Sequence, residues 1–372
     1  MGLDSRILRS AYAGKRVLLT GHTGFKGGWL AIWLASLKAD VTGFALAPNT
    51  EPSLFEDAGV ADVCRHERGD VRDLDRLRRL VREVRPEVVF HLAAQPLVRL
   101  SYELPLETLE SNTLGTAKLL EAIRLERQPC AVVVVTSDKC YENRERVQGY
   151  REDDALGGHD VYSMSKGAAE LVVQSWRRSF FPPGRLADHG VAIATARAGN
   201  VIGGGDWARD RIVPDAIRAL SAGYPVPVRK PGAIRPWQHV SEPLGGYLLL
   251  GAKLLGPDAP RYCEPWNFGP APQSARPVAE VVQAAVEAWG SGSWSPSPQA
   301  NAPHEAEVLR LSIDKAFARL GWWPRWGLRE AVVRTVAWYR ERERGARGKA
   351  LRDLTEAQIV DYLQPGAEGK AA

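Results

Sequence analysis

An α/β fold, a doubly wound parallel sheet with a smaller C-terminal α/β lobe, is predicted for this chain of 372 residues. Three observations predict it. Short, fully apolar runs alternate with longer amphipathic runs through the first half, the pattern of strands buried on both faces and covered by helices. A glycine turn, GHTGFKGG, joins the first apolar run to a helical one. Beyond residue 200, Pro214, Pro225, Pro227, Pro231 and Pro236 break the alternation and mark a second lobe.

The elements follow in order. Lys15–Thr20 (KRVLLT) is a buried-type strand, and the apolar run WLAIWLASLKA after the glycine turn is a helix. VTGFAL, Val41–Leu46, is a second strand. Leu74, Leu77, Leu80, Val81 and Val84 recur at helical spacing, predicting a helix over Asp73–Val84. Pro86 introduces EVVFHLAA, a third strand, and Asn112–Arg124 is the next helix. Val132–Val135 is a strand of four valines that breaks abruptly into Thr136, Ser137, Asp138 and Lys139. A helix from Tyr162 through Arg178 precedes VAIATARAGNVIGGG, a strand running into a glycine-rich loop, and another helix lies around Glu242–Leu255. The expected division is a dinucleotide-binding domain over 12–199, to which 237–265 returns, and a second domain from 200–236 and 266–358. Residues 359–372 read as a tail and Ser291–Pro303 as an exposed loop.

Composition excludes several classes. Forty-nine basic against 44 acidic residues leave a net charge of +5 with no long like-charge block, which suits a small anionic substrate and argues against nucleic acid. Cys64, Cys130, Cys140 and Cys263 lie far apart without metal-ligand spacing, as thiols of a reducing compartment do. No apolar run approaches the roughly 18–20 residues that span a bilayer, so no membrane partner and no metal are expected and the cytoplasm is the default.

Gly21, Gly24 and Gly27, with Thr23, Phe25 and Lys26 between them, sit directly after a strand and open a helix. Glycines there let backbone N–H groups approach a pyrophosphate, and the helix N-terminus adds partial positive charge. A tight turn without a ligand is the plainer alternative. Tyr162 and Lys166, four residues apart in a helix, share a face, and a nearby ammonium favours a phenolate that works as a base. A surface pair is the alternative for these two.

The GxxGxxG spacing, together with Tyr-x-x-x-Lys, resembles the extended branch of the short-chain dehydrogenase/reductase superfamily, a Rossmann-type fold. The resemblance implies NAD as cofactor. It places Asp70 and Val71 at adenine, Leu92, Ala93 and Ala94 on the nicotinamide side, and Asn112 and Thr136 with them. The acidic residue that usually ends the second strand and takes the ribose hydroxyls is missing from FALAPN, as is an arginine for a 2′-phosphate. Ser137-Asp138-Lys139 stands where nucleotide-sugar 4,6-dehydratases carry Thr-Asp-Glu. That triplet, with GHTGFKGGWL, AAQPLVRLSY, RAGNVIGGGDW and RPWQHVSEPLGGYL, is similar to the 4,6-dehydratases that act on CDP-glucose, over residues 12 to 345.

The resemblance further implies that Tyr162, held as phenolate by Lys166, takes the proton of the sugar's 4-hydroxyl while Ser137 holds the oxygen. Lys139, uncharged, is implied as base at carbon 5, and Asp138 as acid to the leaving 6-hydroxyl. Arg211 and Arg235 are expected on the diphosphate, Asn200 on pyrophosphate or sugar, Gln95, Arg99 and Tyr102 around the hexose, and Val213 and His304 at the nucleotide. A homodimer or homotetramer through helices at 105–125 and 162–178 is implied as well. A dehydratase or 4-epimerase for a dTDP-, UDP- or GDP-linked sugar is the nearest rival, and a non-catalytic NAD-binding regulator is the rival of another class.

Overall fold

The computed structural model describes residues 3–298 and 308–364. Seven parallel strands form the central sheet: β1 (Arg16–Thr20), β2 (Asp40–Ala45), β3 (Arg65–Arg68), β4 (Val88–His91), β5 (Cys130–Val135), β6 (Val191–Arg197) and β7 (Pro265–Asn267). Their order is β7-β6-β5-β4-β1-β2-β3, so the chain reverses direction across the sheet between β1 and β4. In such sheets a crevice opens at the carboxyl edge where the order reverses.

The helices of six or more residues are α1 (Ser5–Tyr12), α2 (Phe25–Ser36), α3 (Leu74–Val84), α4 (Val98–Glu103), α5 (Gly115–Leu125), α6 (Val161–Ser179), α7 (Ile212–Ser221), α8 (Ser241–Leu254), α9 (Val278–Trp289), α10 (Leu328–Glu343) and α11 (Lys349–Leu363). The valine strand explains their arrangement. Successive side chains of a strand point to opposite faces. Val132 and Val134 pack with Leu77 and Leu80 of α3 and Leu119 and Leu120 of α5. Val133 and Val135 pack with Leu30 of α2 and Leu248 and Leu250 of α8. Both faces of β5 are therefore dry, and its six residues are all buried. Each fully buried aliphatic side chain contributes roughly 1.5–3 kcal/mol of transfer free energy.

Expectations about four elements are corrected. The tail expected from residue 359 does not begin there, because α11 runs to Leu363 with Ile359 and Tyr362 buried. Residues 65–68, where the sequence shows no strand pattern, form β3; its RHER side chains are mostly exposed because it is the sheet's edge. Within the expected loop 291–303, Trp294–Pro296 is a short strand paired in parallel with Val226–Val228, and the residues from 299 onward lie outside those described. The helix expected from Asn112 begins as a π turn over Glu110–Leu114 before becoming α5. The second lobe also holds an antiparallel pair, Ala275–Pro277 with Ile234–Pro236.

Among the late tryptophans, Trp322 and Trp338 are fully buried, whereas Trp323 is 45% exposed. The Arg325 guanidinium donates to the carbonyl of Leu3 at 2.5 Å and to those of Tyr362 at 2.7 Å and Gln364 at 3.1 Å.

Candidate active site

A cavity of about 1340 Å³ opens over the carboxyl edge of the sheet, where β1 and β4 diverge. Its floor is the turn after β1. Gly21 has φ +82°, and a Cβ there would stand 2.7 Å from the Ala93 nitrogen, so only glycine lets this turn close against the end of β4. A Cβ on Gly27 would stand 2.0 Å from the Gly21 carbonyl oxygen, which fixes the start of α2 against the same turn. Gly24 is the N-cap of α2 and offers no capping side chain, so the first N–H groups of the helix face the cavity.

β5 ends at the opposite wall. Ser137, Asp138 and Lys139 follow it as a short 3-10 turn, and all three line the cavity with Thr136. Ser137 Oγ donates to Asp138 Oδ1 at 3.0 Å and accepts the Lys139 N–H at 3.2 Å. Asp138 is buried, and its Oδ2 has no hydrogen-bond partner. A Cβ on Gly199 would lie 1.8 Å from that oxygen, so the carboxyl occupies the space a side chain would take.

Helix α6 supplies the third wall. Asp160 caps it, accepting the Ser163 N–H at 2.9 Å, and so sets where Tyr162 and Lys166 emerge. Both line the cavity. Burial pushes the Tyr162 phenol up to about 12; Asp138 adds to the rise, while hydrogen bonding with Ser137 and the charge of Arg211 oppose it. Desolvation of the anion outweighs the opposing hydrogen bond and cation. Burial also lowers Lys166 to about 8, with Cys140 and Glu170 opposing, so it remains an ammonium at pH 7.

Lys26 meets the same site from below. Its Nζ donates to the Tyr247 hydroxyl of α8 at 3.0 Å, and desolvation, with Lys166 and Arg211 adding, lowers it to about 7. Tyr247 was missed in the sequence because it lies in an apolar helical run that reads as core. Burial, Asp138 and Tyr162 all push its phenol up.

Most expected binding residues reach this cavity: Phe25, Asp70, Val71, Leu92, Ala93, Ala94, Gln95, Arg99, Asn200, Arg211, Val213 and Arg235 line it. Asp70 accepts the Arg72 N–H at 2.8 Å and pairs with its guanidinium at 2.6 Å. The Gln95 amide is engaged inside the protein, donating to the Leu97 carbonyl at 3.0 Å and to Thr108 at 2.9 Å. Arg211 pairs with the buried Asp206 at 2.8 Å, and Asp210 lies 2.6 Å from Arg229 and 3.4 Å from Arg99. Asp206, Asp210 and Arg229, unmarked in the sequence, thus set how much positive charge the cavity wall presents.

Two residues are corrected. Asn112 is buried away from the cavity: it accepts the Gln95 N–H at 2.8 Å and donates to the Gln95 carbonyl at 3.0 Å and Ser165 Oγ at 2.9 Å. It ties the loop after β4 to α6. Tyr102 is 47% exposed and off the cavity wall, because α4 turns Arg99 and Glu103, one helical turn apart, inward. His304 lies outside the described residues.

The residues fit a dinucleotide. The uncapped N-terminus of α2 suits a pyrophosphate, and Asp70 and Val71 stand along the wall toward β2. No carboxylate ends β2; Asn49 and Thr50 line the cavity there and are the polar groups within reach of a ribose. Among the described residues, no helix is long and apolar enough to cross a membrane, and no cluster of three metal-ligating side chains occurs.

Comparison with known proteins agrees with this geometry. The model of the NAD dependent epimerase/dehydratase family matches residues 17–258. The chain is 48% identical over 356 residues to the CDP-glucose 4,6-dehydratase of Salmonella typhimurium, covering 95% of this chain and 98% of that one. It is 26% identical to a dTDP-glucose 4,6-dehydratase of Xanthomonas campestris, covering 87% of this chain and 92% of the relative. A solved dTDP-glucose 4,6-dehydratase from Streptomyces venezuelae, with NAD and TYD bound, shares the fold at a TM-score of 0.72 and 23% identity, covering 87% and 97% of the two chains. Glycine turn, parallel sheet and Tyr-x-x-x-Lys helix therefore have one explanation: the chain belongs to the NAD dependent epimerase/dehydratase family.

Proposed function

We propose that this protein converts CDP-glucose to CDP-4-keto-6-deoxyglucose and water, using NAD held in the cavity. The observation that carries the reading is the meeting of Asp138 and Lys139 with Tyr162 and Lys166 around one cavity. An epimerase has no use for the first pair, whereas removal of water across carbons 5 and 6 needs both an acid and a base. The CDP-glucose enzyme of Salmonella typhimurium, 48% identical over nearly the full length, supports the choice of nucleotide.

NAD, when bound, supplies a temporary store for one hydride, taken at carbon 4 and returned at carbon 6. The rest is acid–base work by this chain. Tyr162 accepts the proton of the 4-hydroxyl as a phenolate, the form that the positive charges of Lys166, Arg211 and a bound nicotinamide would favour. Ser137 holds the 4-oxygen. The resulting ketone acidifies the hydrogen at carbon 5, which Lys139 removes. Asp138 gives its proton to the 6-hydroxyl, which leaves as water, and a proton returns to carbon 5 at the end. Arg211 and Arg235 take the diphosphate, with Asn200 beside them.

Incubation with CDP-, dTDP-, UDP- and GDP-glucose, with the alkaline enolate absorbance of the keto sugar as readout, tests this. CDP-glucose alone should turn over well. Equal turnover of dTDP-glucose would defeat the assignment of the nucleotide, and NAD binding without turnover of any sugar would favour a regulator. Leu106, Leu114 and Leu171 are exposed at 73%, 50% and 53% along the segment before α5 and on α6, which supports assembly as a homodimer or homotetramer through that face. Four free cysteines suit a reducing compartment, and we place the enzyme in the cytoplasm.

A further inference from the structure

The turn that carries Asp138 and Lys139 hangs from one buried ion pair at both of its ends. At the entry, Thr136 Oγ1 donates to Glu170 Oε1 at 2.5 Å. At the exit, the Tyr141 hydroxyl accepts from Arg197 NH1 at 2.7 Å. Glu170 and Arg197 are themselves paired, NH2 to Oε2 at 2.8 Å, with both side chains only 3% exposed. Thr195 donates to the same carboxylate at 2.7 Å. Glu170 lies on α6, one helical turn beyond Lys166, so the pair joins the turn to the helix that bears Tyr162.

Tyr141 is held with unusual completeness for a residue in a loop. Its hydroxyl donates to Asn267 Oδ1 at 2.7 Å, its ring stacks on Tyr150 at 5.1 Å, and the Arg197 guanidinium lies 4.9 Å from its centroid. Arg197 also donates to the Glu152 carbonyl at 3.0 Å. None of these groups except Thr136 and Tyr141 lines the cavity. A buried ion pair is weak as a source of stability, because desolvation offsets its attraction. Its bonds to both ends of a single turn, through Thr136 and Tyr141, indicate a geometric task.

We propose that Glu170 and Arg197, acting through Thr136 and Tyr141, are positioning residues that hold the acid–base turn against α6, and that water elimination depends on them more than the oxidation of carbon 4 does. Tyr162 and Lys166 project from α6 itself and need no such anchor. Asp138 and Lys139 must reach two adjacent carbons together, and a displacement of about 1 Å can cost a hundredfold in rate. This rests on the proposed function, since it assigns elimination to those two residues.

Tyr141→Phe tests it. The substitution removes one oxygen, keeps the ring stack, and leaves Glu170 and Arg197 paired. In a single turnover with CDP-glucose, absorbance of the reduced cofactor should rise at a rate within about threefold of the wild type. Its decay into product should slow at least about tenfold, so the reduced species accumulates. NAD affinity and KM should stay close to wild type. Arg197→Lys keeps a cation beside Glu170 but loses the planar fork that reaches Tyr141, and should show the same split even if Tyr141→Phe folds poorly. Equal slowing of both phases in the folded variants, or slowing of neither, overturns the proposal. A wild-type protein that removes water from no nucleotide sugar overturns the functional reading and this one with it, a result distinct from a loss confined to the variants.

Discussion

Gly199→Ala is the sharpest probe of the acid. A Cβ at this position would lie 1.8 Å from Asp138 Oδ2, 2.2 Å from its carboxyl carbon and 2.7 Å from Oδ1, where ordinary contact begins at 3.4 Å. The methyl is fixed to the backbone, so the carboxyl must swing by more than an ångström. It then gives up the 3.0 Å bond from Ser137 and its place at the cavity wall. Overpacking of this kind costs about 1–3 kcal/mol of stability, which a chain of this size survives. Displacing a general acid costs about 10²–10⁴ in rate. The expected outcome is a folded protein with a modestly lower melting temperature and unchanged NAD affinity by titration. Its kcat on CDP-glucose should be reduced by at least about a hundredfold. A Gly199→Ala variant with wild-type kcat would refute the placement of Asp138 as the acid, since no arrangement of a fixed methyl leaves that carboxyl undisturbed.

Tyr162→Phe should abolish turnover, by about 10²–10⁴-fold, while NAD titration remains within a few-fold of wild type. The buried Glu242 is raised to about 7 by desolvation, although the N–H groups of Arg325 and Trp326 and the Tyr362 hydroxyl hydrogen-bond it. A carboxyl raised on folding binds its proton more tightly in the folded state, so stability is lost as pH rises from the unfolded value through about 7. Glu242→Gln should accordingly gain on the wild type in thermal melts between pH 5 and pH 8, by up to roughly 3 kcal/mol, and a constant difference across that range would count against the buried proton. Leu171→Glu should convert the assembly to monomers in light scattering; a wild type that is itself monomeric disposes of the interface.

The sheet was legible because apolar runs such as VVVV have one physical use, a strand dry on both faces, and because Gly21 and Gly27 hold close approaches that no other residue permits. β3 escaped because an edge strand can be polar throughout, and RHER carries no alternation to detect. Tyr162 and Lys166 were legible as residue types at helical spacing, and Asp138 and Lys139 through the family resemblance; all four line the cavity. Tyr102 and Asn112 were misplaced because a motif gives proximity to a site without the helical phase or hydrogen-bond partners that decide where a side chain ends. Tyr247 and Gly199 were invisible for a related reason: one looks like core until its bond to Lys26 is seen, and the other like a loop glycine until the cavity wall is in place. The charge state of Tyr162 depends on burial, which no spacing reports.

The Arg325 guanidinium, bonded at once to Leu3, Tyr362 and Gln364, makes neighbours of the two ends of the described chain. A short peptide could join them, and new ends opened at the exposed turn around Gly223 would give a circular permutant with the same contacts in a different order. The consequence extends to labelled forms of the enzyme. Fluorophores attached near residues 3 and 364 would report fraying of α11 as a loss of energy transfer, at a place well removed in sequence from the acid–base turn.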